Sequence, residues 1–386
     1  MSLPRSLTAL VYTAFIAAIL LLPLLVDDPF WLNRFSKYCV FGMLGIAVAL
    51  SLGYAGVLNL GQGLFFGIGA YMLAMSLKLA SPTGLAQGSD TPLPDFMLWN
   101  AEPGAPSDLC CINKGSFLWL PFQSQWFGVA MCIVLPTLIA FLLSAVIFKK
   151  RVVGVFISII TLALALLVRL VLIDAQPVTN GFNGLTDLGW FNVGGFEFDP
   201  YLTETYYVIA VSLALTLIGT RLLVETRAGL ILQAIRDDEN RARYLGFDVT
   251  SYQIFFFCVS ALIAGFAGML YVIESEFASP TFMDIAFSIS MVVWAAVGGR
   301  ASILGACIGA MLINTVEASI SEIPEFVEAW KAVIGLIFVL AVPFLPRGLA
   351  GLAKDLIGRV LERRRGAPAS LEPEPAATPA AWERAS

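Results

Sequence analysis

Histidine is absent from this 386-residue chain. That removes imidazole as general base, proton relay and metal ligand, and with it most serine and cysteine triads. Charge is scarce as well: Asp, Glu, Lys and Arg make up 13% of the residues, against about 25% in soluble domains. No Gly-x-x-x-x-Gly-Lys-[Ser/Thr] stretch occurs, so the chain does not hydrolyse ATP itself. The six cysteines show no Cys-x-x-Cys or other metal spacing. Cys39, Cys132, Cys258 and Cys307 sit in apolar runs as small polarizable filler. Cys110 and Cys111 are adjacent in a loop, with a disulfide outside the cytoplasm as the alternative to plain thiols. Carboxylates are missing from the centres of the apolar runs, which excludes the usual parts of a proton relay or sodium site.

What the chain has instead is apolar residues, 58% of the total. A bilayer core of roughly 30 Å needs about 20 of them in helical rise. About ten stretches qualify or come near it: residues 8–26, 36–55, 63–80, 126–148, 152–173, 201–220, 251–273, 285–299, 301–319 and 327–346. The first is too long for a signal-peptide core and lacks a clear cleavage site, so it reads as a retained helix. The expected fold is all-α, a polytopic transmembrane helical bundle.

Basic residues in short connections orient such a bundle. With the N-terminus inside, one side collects Lys149, Lys150, Arg151, the arginines between 221 and 243, Arg300, and the tail from Arg347 through Arg365. The other side collects Asp27, Asp28, Asp90, Asp95, Asp108, Asp174, Asp187, Glu274, Glu276, Glu322 and Glu325, with Arg34, Lys37 and Lys114 as its few cations. An even number of segments with both termini cytoplasmic preserves this asymmetry. Residues 1–350 then form the transmembrane domain, with an extracytoplasmic insert at 81–125 and a long cytoplasmic loop at 221–250. Residues 351–365 read as a basic cytoplasmic helix. Residues 366–386, rich in Pro, Ala and Glu, read as a disordered tail unable to build a core. The hexapeptides 53–58 (GYAGVL) and 265–270 (GFAGML) resemble each other at the ends of the second and seventh segments. Two inverted five-helix repeats would place them so; chance similarity of Gly/Ala-rich helices is the alternative.

Polar features stand out against this background. Asn59 and Gln62 lie among glycines just after the second segment, at membrane depth. Irregular backbone is tolerated there only against protein or a water-filled cavity. Two readings follow: a broken helix whose carboxamides line a polar path, or a glycine-packed turn whose amides cap helix ends. Ser158 and Thr161 in the fifth segment either line that path or bond their own helix backbone. Arg169, near Asp174, reads as a snorkelling structural residue. The outer loop 179–187 is dense in turn formers and reads as a surface turn, or as a gate or docking surface that puts Asn183 on the substrate pathway. In the long cytoplasmic loop, residues 228–236 suit an amphipathic helix. Arg236 to Arg243 suit another turn of helix, with Gly246 as a stop. Such a helix needs either lipid or a protein partner beneath it.

Six stretches in order carry a resemblance: LNLGQGLFFGIGAY (58–71), GVFISIITLAL (154–164), TNGFNGLTD (179–187), RAGLILQAIRDDENRARYLGFDV (227–249), VWAAVGGRASILGACIGAMLIN (293–314) and FLPRGL (344–349). Together they resemble the branched-chain amino-acid/urea family of ABC permeases. The insert around Leu93-Pro94-Asp95-Phe96-Met97 is similar to that of the urea-type C permease subunit. Many members carry His where Gln62 stands here. The resemblance implies one half of a heterodimeric channel with a second permease subunit, two ATP-binding subunits below and an extracytoplasmic solute-binding protein above. ATP would be bound by the partner, with no cofactor in this chain. Membrane lipid is the surrounding partner, and nucleic acid is not expected. The loop 226–247 matches the family's ATPase-coupling helix, which puts Arg227, Gln233, Ile235, Arg236, Asp237, Asp238, Glu239 and Arg243 at that contact. Family likeness places the solute path near Asn59, Gln62 and Thr161.

Urea is small, neutral and rich in donors and acceptors. Asn59, Gln62, Phe65, Ser158, Thr161 and Trp294 supply carboxamides, hydroxyls and aromatic walls for it. A zwitterionic amino acid also calls for charges or helix termini. Their scarcity makes urea the expected solute, with branched-chain amino acids for the same machine and an ATP-independent urea channel as alternatives.

Overall fold

The computed structural model describes residues 5–80, 119–152, 154–321, 335 and 348–352. The expected tenth segment, the basic helix, the tail, Cys110, Cys111 and most of the 81–125 insert lie wholly or almost wholly outside these.

Eleven helices matter to the fold among the described residues. They are α1 Arg5–Leu21, α2 Pro29–Val48, α3 Gln62–Ala80, α4 Gln125–Lys149, α5 Val155–Asp174, α6 Thr203–Glu225, α7 Arg227–Asp237, α8 Glu239–Tyr244, α9 Val249–Ser275, α10 Ile285–Gly298 and α11 Ile303–Ser321. Among the described residues, seven helices are long and apolar enough to cross a membrane: α2 with the turn that extends it, α3, α4, α5, α6, α9 and α11. The apolar stretches Thr8–Leu24 and Ile285–Gly298 are shorter.

Helix starts follow local chemistry rather than hydropathy. Asp28 accepts a hydrogen bond from the Phe30 N–H and Pro29 occupies the first turn, so α2 begins well before its apolar run. Arg34 and Lys37, expected in an outer connection, are therefore helical. Asp248 caps α9 in the same way, accepting from the Ser251 N–H. At its other end α9 runs on to Ser275 and stops at Glu276, whose φ is 50°. Glu274, also expected in a connection, lies in the last helical turn.

The helices form a buried centre and an apolar periphery. α3 and α9 pack on each other and on α4, while α2 packs on α11, α9, α6 and α10. Small residues allow the closest crossing: a Cβ on Gly69 would sit 2.1 Å from the Gly265 carbonyl oxygen, and one on Gly268 would sit 2.0 Å from that of Phe66. By contrast α5 shows Phe156, Ile159, Leu167 and Leu170 to its surroundings. A helix apolar on its exposed face is suited to lipid or to another membrane helix.

Two local expectations change. The 265–270 hexapeptide runs through the interior of α9, whereas 53–58 begins in a π-helical turn, Ala49–Tyr54, and continues into irregular backbone. The two motifs therefore occupy unlike settings. Outside the helices, Phe191–Val193 and Phe196–Phe198 form a two-stranded antiparallel hairpin. Its turn is Gly194-Gly195, with φ of 62° and 93°. Glycine adopts such angles without strain, and a Gly-Gly pair between aromatic strands is a hairpin signal.

The bundle has two chemically distinct ends. One gathers α7, α8, the α4–α5 turn at Arg151 and the α10–α11 turn at Arg300 (the arginine-rich end). The hairpin, the end of α9 and the α9–α10 connection lie at the other (the hairpin end).

Candidate functional site

The chain breaks between α2 and α3. The π-helical turn Ala49–Tyr54 is followed by Gly56 at a φ of 69°. Four of the polar residues singled out in the sequence meet here. Asn59 turns its carbonyl oxygen to the Gly61 N–H at 2.9 Å and donates from Nδ2 to Gln62 Oε1 at 2.8 Å. Gln62 Nε2 donates to the Ser260 carbonyl at 3.0 Å and to Ser260 Oγ at 3.1 Å, while Ser260 Oγ donates to the Ala47 carbonyl at 2.7 Å. From α5, Ser158 Oγ donates to the Leu58 carbonyl at 2.8 Å, and Thr161 Oγ1 accepts from the Leu60 N–H at 3.2 Å. Asn59, Gln62, Ser158 and Thr161 are all at most 3% exposed. The break is thus a closed clasp tying α2, α3, α5 and α9, its amides and hydroxyls satisfied by protein. Ser260, the partner of Gln62, gave no sequence signal, since a serine in an apolar helix commonly bonds its own backbone.

The remaining path residues are dispersed. Phe65 is fully buried beside the clasp, edge-on to Phe257 at 5.9 Å. Asn183 is exposed in a short turn at the hairpin end. That loop is anchored, because Leu185 and Ala278 exchange backbone hydrogen bonds at 2.7 and 3.0 Å. Arg169 faces Asp284, the cap of α10, at 3.8 Å, rather than the expected Asp174. Lys78, buried in α3, donates to the Thr186 carbonyl at 2.9 Å.

At the arginine-rich end, Thr226 caps α7 by accepting from the Gly229 N–H, and Asp238 caps α8 by accepting from the Arg241 N–H. Gly246, at a φ of 88°, ends the pair. Ile235, Ala242 and Val249 form a small separate core with Ile231 and Tyr252, seating both helices on the start of α9. Leu230, Tyr244, Leu245 and Phe247 point away, Tyr244 being 91% exposed. Ion pairs brace the surface: Arg243 with Glu239 at 2.6 Å, Arg241 with Asp238 at 3.5 Å and Arg236 with Asp237 at 2.8 Å. Arg227 is exposed, and Gln233 Nε2 reaches the Gly229 carbonyl at 3.3 Å. Arg236 reaches further. Its Nη1 donates to the Gly53 carbonyl at 2.7 Å, inside the π-helical turn. The same turn abuts the α10–α11 connection so closely that a Cβ on Gly53 would lie 1.7 Å from the Arg300 carbonyl oxygen. α7 and the α10–α11 connection are thus both in direct contact with the break.

A cavity of about 630 Å³ opens at the hairpin end. α2 contributes Lys37 and Phe41 to its wall, α9 Tyr271 and Glu274, α10 Phe287 and Trp294, and α11 Asn314 and Glu317. Glu274 is 3% exposed, and Lys37 Nζ lies 5.4 Å from the centre of the Tyr271 ring. Trp294 thus belongs to this cavity and takes no part in the hydrogen bonds of the carboxamide clasp. At the rim, Glu276 accepts a hydrogen bond from Trp190 Nε1 at 2.6 Å, and desolvation pushes its carboxyl above the usual range. Glu317 gave no clear signal, since it lies near the end of the expected 301–319 segment rather than at its centre. Lys37 and Glu274 were hidden because both helices outrun their apolar stretches. Among the described residues no group of His, Cys, Asp and Glu is placed to hold a metal ion.

Residues 31–342 match the family model described as branched-chain amino acid transport system, permease component. The chain belongs to that family. This ABC-importer permease is accordingly a multi-pass inner-membrane protein. It is 27% identical over 364 residues to the high-affinity branched-chain amino acid transport system permease protein LivM of Salmonella typhimurium, covering 86% of this chain and 74% of LivM. It is 22% identical over 225 residues to the ribose import permease protein RbsC of Haemophilus influenzae, covering 56% of this permease and 68% of RbsC. A probable branched-chain amino acid transport permease, LivH of Methanocaldococcus jannaschii, is 29% identical over 177 residues, 44% of this chain and 54% of LivH. No solved structure matches the permease.

Proposed function

We propose that the permease carries branched-chain amino acids, with a separate ATPase supplying the energy. The observation that carries this choice of solute is where polar groups are committed and where they are open. Asn59, Gln62, Ser158 and Thr161, on which the expectation of urea rested, are bonded to protein. The open cavity instead offers cations, carboxylates and aromatic walls, the chemistry of a zwitterion with an apolar side chain. Similarity to LivM along most of the chain supports the same reading.

In this reading the arginine-rich end is cytoplasmic, by the excess of basic residues in its short connections. Both termini lie there, and 327–346 supplies a tenth segment. α2 packing on α10 and α11, while α9 packs on α3 and α4, is the exchange expected of inverted five-helix repeats. α7 and α8 form the contact with one of two ATP-binding subunits through Arg227, Gln233, Arg236, Asp237, Asp238, Glu239 and Arg243; Ile235, expected there, is 2% exposed and instead seats the pair on the start of α9. The exposed Leu230, Tyr244, Leu245 and Phe247 give that contact its apolar centre. The apolar face of α5 meets a second permease subunit or lipid, and a solute-binding protein delivers to the hairpin end. Asn59, Gln62, Phe65, Ser158 and Thr161 hold the gate between the two ends, while Asn183 lies on the delivery face and Trp294 in the cavity.

Deleting the chain from its host and restoring it tests the reading. Loss and recovery of leucine, isoleucine and valine uptake is the expected result. Loss of urea uptake alone would reverse the choice of solute.

A further inference from the structure

The cavity at the hairpin end has charged groups in its wall, one of them, Glu274, only 3% exposed, and burying a charge is expensive unless it meets a partner. Its rim charges are already engaged. Arg34 stacks over Phe30 and Trp31 at 5.1 and 5.4 Å, and Glu276 is held by Trp190. The other charged side chains of the wall are Lys37, over the Tyr271 ring at 5.4 Å, Glu274, which accepts a hydrogen bond from Ser275 Oγ, and Glu317. They come from α2, α9 and α11, and among the described residues no ion pair joins Lys37 to either carboxylate. Beside them Phe41, Phe287 and Trp294 form one aromatic surface, with Phe41 and Trp294 centred 5.2 Å apart and Phe287 and Trp294 5.9 Å apart. The Trp294 indole N–H is buried without a hydrogen-bond partner, an arrangement proteins seldom leave unused.

We propose that this cavity is a binding site within the permease itself for a free α-amino acid with an apolar side chain. Lys37 meets the α-carboxylate, Glu274 and Glu317 meet the α-ammonium, and Phe41, Phe287 and Trp294 enclose the side chain. Two opposite charges set beside an aromatic wall distinguish such a solute from neutral urea, which matches neither charge, and from a sugar, which has no ionic group. At about 630 Å³ the cavity lies within the range of small-molecule sites. The proposal rests on the amino-acid reading above and adds that the permease, and not only a delivering protein, recognises both ends of the zwitterion.

The test is equilibrium binding of tritiated leucine to the assembled transporter in nanodiscs, with no solute-binding protein added. Uptake by the same assembly with its binding protein and ATP is measured alongside. Saturable binding is expected, weakened about tenfold or more in Lys37→Met and in Glu274→Gln, as for loss of a charge-assisted contact. Leucinol, which lacks the carboxylate, and 4-methylpentanoate, which lacks the ammonium, should compete about tenfold or more less well than leucine against the unmodified protein. This measurement does not depend on a variant folding. Equal competition by all three, or unchanged binding in both variants, would overturn the site. So would absent binding in an assembly that still takes up leucine with ATP, and the amino-acid reading would then survive. Uptake of urea without uptake of leucine would overturn both.

Discussion

Replacing Gln62 by leucine keeps a side chain of similar length and removes each of its polar contacts. The Asn59 Nδ2 donor loses its acceptor, and the Ser260 carbonyl loses the amide that caps it at 3.0 Å. Ser260 Oγ keeps its bond to the Ala47 carbonyl. The Ser260 carbonyl keeps its bond within α9, so one buried neutral group, the Asn59 amide, is left without a partner, and the clasp weakens by about 1–3 kcal/mol. At about 1.4 kcal/mol per factor of ten, even the lower figure raises local opening roughly fivefold. Hydrogen–deuterium exchange of the peptide covering residues 55–64 reads that opening directly. Faster exchange by at least that factor is expected, together with a lower melting temperature in detergent. Adding Asn59→Leu should then cost less than the sum of the single changes, because it removes the orphaned donor. Unchanged exchange and melting, with an altered KM for uptake, would refute the clasp and return Gln62 to the wall of an open path.

The other predictions concern the two ends of the bundle. Arg236→Ala combined with Asp238→Ala removes the bond to the Gly53 carbonyl and the cap of α8. ATP-driven uptake should fall to background while the membrane abundance of the chain is retained, and full uptake in the double variant would show that α7 does not drive the break. Gly53→Ala forces a Cβ to within 1.7 Å of the Arg300 carbonyl oxygen; a marked loss of thermal stability is expected, and a wild-type melting curve would mean that the π-helical turn and the α10–α11 turn are not in contact. Lys78→Met leaves the Thr186 carbonyl without its 2.9 Å donor. It should loosen the 179–187 loop, seen as faster proteolysis there, with about 1–3 kcal/mol at stake.

The membrane character of the chain and most helices were legible because unbroken apolar length is a direct physical requirement of a bilayer. The paired helices of the 226–247 loop were legible as well, since Thr226, Asp238 and Gly246 are cap and stop residues. Hydropathy misplaced the helix ends. Asp28 and Pro29 start α2 ahead of its apolar run, and α9 persists through Glu274, so charges assigned to loops belong to the cavity wall. The clasp was half legible. Asn59 and Gln62 stand out among glycines, yet whether such amides face solute or protein depends on partners distant in sequence, here Ser260, Ser158 and Thr161. The hexapeptide match did not report a shared local structure, because 53–58 begins in a π-helical turn and 265–270 lies inside α9.

The most direct test of the account is uptake into proteoliposomes holding this permease and its partner subunits. Labelled leucine and labelled urea are measured side by side, with and without ATP inside the ATPase compartment. Saturable leucine accumulation that requires ATP, with urea at background, is the predicted result. Urea flux indifferent to ATP, or ATP-driven urea accumulation without leucine, would contradict it.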